Sequence, residues 1–372
     1  MTAIDLGLPT PGAPPVPHGL AGVPVSEVPL SAKEYRSDQE VRWCPGCGDY
    51  AVLAAVQSFL PDLGLRKENI VFISGIGCSS RFPYYLDTYG MHSVHGRAPA
   101  IATGLAVTRP DLSVWVVTGD GDALSIGGNH LVHALRRNVN LKILLFNNRI
   151  YGLTKGQYSP TSEPGKVTKS TPQGSVDHPF NPVSLALGAE ATFVARALDS
   201  DRRGLTDVLR AAAEHRGTAL VEIYQNCPVF NDGAFTHLKE PGEREQHILD
   251  LRDGEPVRFG TDGRYGVVRD PLTGRLRVAT VAETGEDALL VHDVAADDPT
   301  QAFALSRLTT PTEGTVPVPV PVGVFRAVRR EAYDDLVREQ VTAARTGRAS
   351  DLRSLLHGKD TWTVPASGGQ PA

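Results

Sequence analysis

Short apolar runs alternate with amphipathic stretches through the middle of the chain. Residues 70–74, 114–117, 141–146, 191–197 and 219–224 are brief, bounded and rich in Val, Ile and Leu. That is the pattern of strands buried on both faces of a parallel sheet. Between them, residues 50–60, 96–108, 124–137 and 205–215 space their apolar positions as helices do. The alternation predicts an α/β fold, a parallel sheet with helices on both faces. The polar loops then fall at the carboxyl ends of the strands, where open α/β sheets bind ligands.

Outside this core the pattern loosens. Residues 1–34 carry repeated Pro and Gly and read as a flexible leader. Residues 149–182 form a long irregular segment, the kind that serves as a lid or binding loop. After residue 229 the chain reads as an irregular extension. It has a polar stretch at 230–260, a hairpin over 265–281 turning at 270–274, and a charged amphipathic helix at 327–344. Residues 317–321 alternate Val and Pro, which predicts extended chain unable to join a central strand. The expected organisation is a leader (1–34), a ligand-binding α/β domain (35–229), an extension that covers the site or meets a partner (230–346) and a disordered tail (347–372). No internal repeat is visible.

Composition narrows the function classes. The 372 residues hold 37 Lys and Arg against 42 Asp and Glu, a formal net charge of −5. Such a balance does not suggest a nucleic-acid or anionic-membrane binder. No apolar stretch approaches the ~20 residues that span a bilayer, and the Pro-rich start lacks the plan of a signal peptide. A cytoplasmic protein is expected. No GxxxxGK[ST] is present, and Gly75-Ile76-Gly77 lacks the third glycine of a dinucleotide fingerprint. His130 and His133 lie three apart on a predicted helix but have no metal-site context, and read as structural.

The loops bracketing residues 124–137 carry the chemistry. Gly119 and Gly121 allow close backbone approach to a ligand. Asp120 offers a carboxylate oxygen and Asn148 an amide oxygen, which suit Mg²⁺ shared with a substrate phosphate. The four cysteines are Cys44, Cys47, Cys78 and Cys227. Cys78 and Cys227 each follow a predicted strand at the same sheet edge as Asp120 and Asn148, so with the Cys44-x-x-Cys47 loop they could converge on one site. Four thiolates suit Zn²⁺ or a [4Fe–4S] cluster. Zinc has no redox role, whereas a cluster can take electrons one at a time from an intermediate on a neighbouring cofactor.

GDG at 119–121 followed by NN at 147–148 resembles the thiamine-diphosphate motif. More specifically, WCPGCGDY (43–50), GIGCSS (75–80), HGRAPAIATG (95–104), GDGDALSIGGNH (119–130) and NNRIYGLTKGQYSPTS (147–162) resemble the β subunit of 2-oxoacid:ferredoxin oxidoreductases. Among these the sequence is most similar to the 2-oxoglutarate enzymes. The resemblance covers roughly residues 41–228 and implies the pyrophosphate-type domain of a thiamine-diphosphate enzyme. It implies that Cys44, Cys47, Cys78 and Cys227 ligate a [4Fe–4S] cluster, and that Asp120, Asn148 and the carbonyl of Ile150 hold Mg²⁺. Ile76, Gly77, Cys78 and Ser79 would line the cofactor, with Gly119, Gly121 and Asp122 near the diphosphate and His95 and Arg97 close by. Lys155 would face the distal carboxylate of the substrate, since an anion brought into a closed site needs a partner.

The activity the resemblance implies is oxidative decarboxylation of 2-oxoglutarate with coenzyme A, giving succinyl-CoA and CO₂ and passing two electrons to ferredoxin. Pyruvate or another 2-oxoacid is the alternative substrate; from a different class, a non-catalytic metal-binding or electron-transfer subunit is the other reading. The chain has no room for a second α/β domain to carry the glutamate that activates the aminopyrimidine. That group is expected from an α subunit, in an (αβ)₂ assembly.

Overall fold

The computed structural model describes residues 18–308, 318–346, 351–362 and 364. Eleven strands occur among them: β1 (Ile70–Ser74), β2 (Tyr89–His92), β3 (Ser113–Gly119), β4 (Lys142–Asn147), β5 (Phe193–Leu198), β6 (Ala219–Tyr224), β7 (Ile248–Leu251), β8 (Arg258–Phe259), β9 (Tyr265–Arg269), β10 (Leu276–Thr280) and β11 (Val320–Ala327). The main sheet has the order β2-β1-β3-β4-β6-β5-β11-β7, and β10-β9-β8 form a small second sheet. Strands β1 to β6 run parallel. Strand β11 joins antiparallel to β5, and β7 then pairs parallel to β11.

Alternate residues of each strand feed opposite cores, the period-2 consequence of the pleat. Trp115, Val117, Leu144 and Phe146 pack on one face with α1 (Asp49–Phe59), while Val114, Val116, Ile143 and Leu145 pack on the other with α2 (Ala98–Thr108). The helix expected at 124–137 is two helices, α3 (Asp120–Leu124) and α4 (Gly128–Arg137). The break lets the Gly127 backbone lie against Gly96, where a Cβ on Gly96 would sit 2.5 Å from Gly127. Helix α5 (Pro182–Gly188) joins the α2 face, and α6 (Arg202–Glu214) the α1 face.

Several expectations need correction. Residues 18–34 are not a loose leader. Val23 is buried, the Gly19 amide donates to the Glu214 carbonyl at 2.9 Å, and Val25 bridges Leu65. Residues 1–17 lie outside the described residues. The Val-Pro stretch does enter the main sheet, with Pro321 opposite Leu249 of β7. The proline is tolerated because pairing with β5 begins only at Gly323, and the Pro321 carbonyl accepts from Arg196 Nη1 at 3.1 Å instead. The sheet therefore runs on past residue 229 through β7 and β11. That use of residues up to Ala327 shifts the next helix to Tyr333–Thr346. The hairpin at 265–281 forms as β9 and β10. Of residues 347–372, Leu352–His357 form an exposed helix capped by Asp351, while 347–350, 363 and 365–372 lie outside the described residues.

Candidate active site at the carboxyl edge of the sheet

Four adjacent parallel strands, β1, β3, β4 and β6, release their loops side by side. One pocket there gathers residues 76–79 after β1, 119–122 after β3, and Asn148 and Ile150 after β4, with His95 and residues 151–154 completing its wall. Eleven of the twelve residues expected around the cofactor thus share one cavity, Arg97 being the exception.

Asp120 is 2 % exposed, and its Oδ2 accepts from Ser159 Oγ and Thr161 Oγ1, each at 2.5 Å. Burial pushes its carboxyl up to about 6, the two hydroxyls pulling the other way. Asn148 Oδ1 accepts from the Ile150 amide at 3.1 Å, and its Nδ2 donates to Gln225 Oε1 at 2.9 Å. The other asparagine turns inward. Asn147 Nδ2 donates to Glu222 Oε1 at 2.7 Å, and Glu222 Oε2 takes Arg196 Nε at 2.7 Å in a fully buried ion pair. Gly121 leaves space for a neighbour: a Cβ would lie 2.1 Å from the Tyr151 ring, whose hydroxyl donates to the Gly121 carbonyl at 3.0 Å.

Asp122 lines the pocket, but its carboxylate is committed to protein. Oδ1 accepts from the Gly96 amide (2.9 Å) and the Ile76 amide (3.3 Å) and contacts His95 Nδ1 (2.9 Å), while Oδ2 accepts from Thr118 Oγ1 (2.9 Å). It organises three loops and orients His95, leaving Nε2 as the ring's free nitrogen. Arg97 does not line the pocket. Its Nη1 donates to the carbonyls of His95 (3.4 Å) and Ile126 (3.3 Å), bracing the loop that carries His95.

The cysteines approach from three loops. The Cys44–Cys47 turn is held to the β1 loop by Trp43, whose Nε1 donates to the Cys78 carbonyl at 2.7 Å, and to the β6 loop by the Gly48 amide, which donates to the Asn226 carbonyl at 3.1 Å. Gly48 must be glycine, because a Cβ would lie 2.0 Å from Asp199 Oδ2. Cys78 Sγ and Cys227 Sγ lie 3.5 and 3.7 Å from the point where Gly152 would carry a Cβ, so both sulfurs lie against that glycine. Burial pushes the Cys78 thiol up to about 12, with Asp49, Cys227 and Cys44 adding to it; burial likewise raises Cys47, helped by Asp49, Cys227 and Cys78. Asp49 itself is 1 % exposed, and burial pushes its carboxyl up to about 7, with a hydrogen bond from the Cys47 side chain pulling the other way. Among the described residues, no three His, Cys, Asp or Glu side chains are grouped tightly enough for a single metal ion.

Lys155 lies one residue beyond the pocket wall, exposed, with φ of 82°. A non-glycine residue in that region is uncommon and strained. Sequence reasoning quoted Asn147, Tyr151, Ser159 and Thr161 within the 147–162 segment without assigning them a role, and passed over Glu222 and Gln225. The one visible signal was Glu222, a charge inside an otherwise apolar run.

The site has the make-up of a thiamine-diphosphate domain, and residues 75–223 match the family described as thiamine pyrophosphate enzyme, C-terminal TPP binding domain. The 2-oxoglutarate oxidoreductase subunit KorB of Mycobacterium tuberculosis is 67 % identical over 348 residues, covering 92 % of this chain and 91 % of that protein. A 2-oxoacid:ferredoxin oxidoreductase subunit beta from a Sulfolobus species is 44 % identical over 218 residues, 58 % of this chain and 70 % of that one. Among solved structures, the 2-oxoglutarate:ferredoxin oxidoreductase of Magnetococcus marinus, with 2-oxoglutarate, coenzyme A and succinyl-CoA bound, aligns with a TM-score of 0.68 at 33 % identity. The alignment covers 88 % of this chain and 94 % of that chain. The chain belongs to the β-subunit family of the 2-oxoglutarate oxidoreductases, thiamine-diphosphate-dependent enzymes.

Proposed function

We propose that this chain, joined to an α subunit in an (αβ)₂ assembly, oxidatively decarboxylates 2-oxoglutarate with coenzyme A to succinyl-CoA and CO₂, delivering two electrons to ferredoxin. The observation that carries the reading is the single pocket holding Asp120, Asn148 and Ile150 together with Cys78.

The residues fit the implied groups. Asp120 is a carboxyl raised by burial, and with it in the pocket stand Asn148 and Ile150, whose amide and carbonyl oxygens would complete an all-oxygen set suited to Mg²⁺ on a diphosphate. Cys44, Cys47, Cys78 and Cys227 supply four thiols and no other donor type. Burial first, and after it the neighbouring Asp49 and thiols, raise Cys47 and Cys78, and a positively charged iron core would hold both as thiolates. Bound there, thiamine diphosphate would supply the carbanion-stabilising centre for decarboxylation and the cluster a one-electron carrier.

This chain's own residues do the rest. Asp120 and Asn148 anchor the diphosphate through the ion. His95, oriented by Asp122, presents Nε2 for proton transfer at the pocket wall. Lys155 attracts the distal carboxylate, which accounts for a lysine held where the backbone favours glycine. The activating glutamate comes from the α subunit, so the β subunit alone should be inactive. Among the described residues no helix is long and apolar enough to cross a membrane. Four free thiols accord with the reducing cytosol, where we place the enzyme.

The test is coenzyme-A-dependent reduction of ferredoxin by the co-expressed αβ enzyme under anaerobic conditions. Turnover with 2-oxoglutarate well above that with pyruvate is expected; turnover of pyruvate alone, or of neither, would overturn the assignment.

A further inference from the structure

Gln225 follows β6 directly and is 1 % exposed. Its backbone amide donates to the Asn147 carbonyl at 3.1 Å, which fixes the residue at the root of the loop leading to Cys227. Its side chain touches both halves of the site. Oε1 accepts from Asn148 Nδ2 at 2.9 Å, and Nε2 donates to Cys47 Sγ at 3.2 Å and to the Asn226 carbonyl. The network decides which end of the amide is which. Turning it over would set Oε1 against a carbonyl oxygen and a sulfur, both acceptors when the sulfur is a thiolate, and would set Nε2 against an Asn148 amide nitrogen that has only protons to offer.

We propose that Gln225 is a positioning residue that couples the two cofactor sites: its carboxamide aims Asn148 at the metal and, through an N–H···S bond, tunes the cluster bound by Cys47. The inference rests on the ligand roles proposed above for Asn148 and Cys47. By holding Asn148 Nδ2, Gln225 leaves the asparagine's Oδ1 facing the pocket as the ligating atom. By donating to Cys47 Sγ, it stabilises the more negative, reduced cluster and so raises its reduction potential. The geometry gives one side chain both tasks because β4 and β6 are neighbours in the sheet, and Gln225 and Asn148 each follow the end of one of them.

The experiment compares wild-type αβ enzyme with Gln225→Met, which keeps the length and loses all three side-chain hydrogen bonds, those to Asn148 and Cys47 among them. Iron content and the reduced-cluster EPR signal of the wild type come first; their absence refutes the cluster reading itself and leaves nothing for Gln225 to tune. With the signal present, an EPR-monitored redox titration of Gln225→Met should give a more negative potential, by about 59 mV for a tenfold change in a one-electron equilibrium. Mn²⁺ in place of Mg²⁺, titrated with thiamine diphosphate and read by Mn²⁺ EPR, should bind roughly tenfold more weakly. An unchanged potential overturns the tuning role, and unchanged Mn²⁺ binding overturns the aiming role. If Gln225→Met fails to assemble, pulsed EPR on wild-type enzyme carrying ¹⁵N in the glutamine side chains decides. A ¹⁵N coupling to the reduced cluster supports the N–H···S bond, and no coupling refutes it.

Discussion

At the amino edge of the main sheet, Lys142 is 2 % exposed and its Nζ donates to Asn140 Oδ1 and to the carbonyls of His215 (2.7 Å) and Gly217 (3.1 Å). Beside it Asn138, Thr192, Thr218 and His215 hydrogen-bond one another, with Thr192 Oγ1 donating to Asn138 Oδ1 at 2.6 Å. At the carboxyl edge, Asp49 is buried as deeply against the Cys47 side chain, and Asp120 has only Oδ2 committed to side-chain hydroxyls. The same strands end in both sets. A buried polar group closed on protein partners is architecture, because its desolvation is already offset within the fold. One with fewer protein partners is destabilising by itself, and a bound cation would offset that cost.

Removing charge from the open edge should have the largest effect on binding and no adverse effect on the fold. Asp120→Asn is expected to weaken metal-dependent thiamine-diphosphate binding by at least about 100-fold, beyond what outer-shell changes usually cost. The midpoint of cofactor-free thermal unfolding should hold or rise, since an uncompensated buried carboxylate is gone. Calorimetric titration and thermal melts on one preparation read both.

The closed edge should answer in the opposite sense. Lys142→Met strands three acceptors, so the protein should lose about 1–3 kcal/mol of stability. Cofactor affinity should stay as it was. Equal losses in both properties would erase the distinction between the edges.

Acid should destabilise the protein through the closed edge. Burial holds His215 down at about 3 against its ordinary 6.5, and Lys142 at about 7 against 10.5. Both pKa values are lower in the fold, so the unfolded chain binds protons first and stability falls as pH falls. The His215 share is complete above pH 6.5 and drains away towards pH 3, at up to about 1.4 kcal/mol per pH unit. Thermal melts across that window should show His215→Gln with a flatter acid limb than the wild type.

The smallest effect belongs to Lys155, where conformation and charge can be separated. Lys155→Gly should relieve the positive φ and add up to about 1 kcal/mol of stability. It should raise the KM for 2-oxoglutarate roughly fivefold, the scale of an exposed ion pair, and leave the KM for coenzyme A alone. A KM for 2-oxoglutarate that does not move would release Lys155 from the substrate role.

How much of this could be read in the sequence follows the same division. Strands β1, β3, β4, β5 and β6 were legible because burial on both faces writes an unbroken apolar run. Strand β2 was not, since Tyr89–His92 is an exposed edge strand with no apolar run, and β11 was hidden by prolines whose tolerance depends on where pairing with β5 begins. The site residues on the GDGD, NN and cysteine segments were legible because loop position and ligand chemistry sit in the same few residues. What orients them was not. Asp122 meets His95 across 27 residues, Asn148 meets Gln225 across 77, and Gln225 meets Cys47 across 178. Local periodicity reports burial and carries no record of such partners.

The most direct test of the central claim, that the open edge holds a cluster beside thiamine diphosphate, is made on anaerobically purified αβ enzyme. Iron, sulfide and thiamine-diphosphate content are measured, and the visible spectrum is followed as 2-oxoglutarate and then coenzyme A are added. The account predicts about four irons per chain, bound thiamine diphosphate, and bleaching of the cluster band on substrate addition. Zinc in place of iron, or iron without thiamine diphosphate and without bleaching, would contradict it.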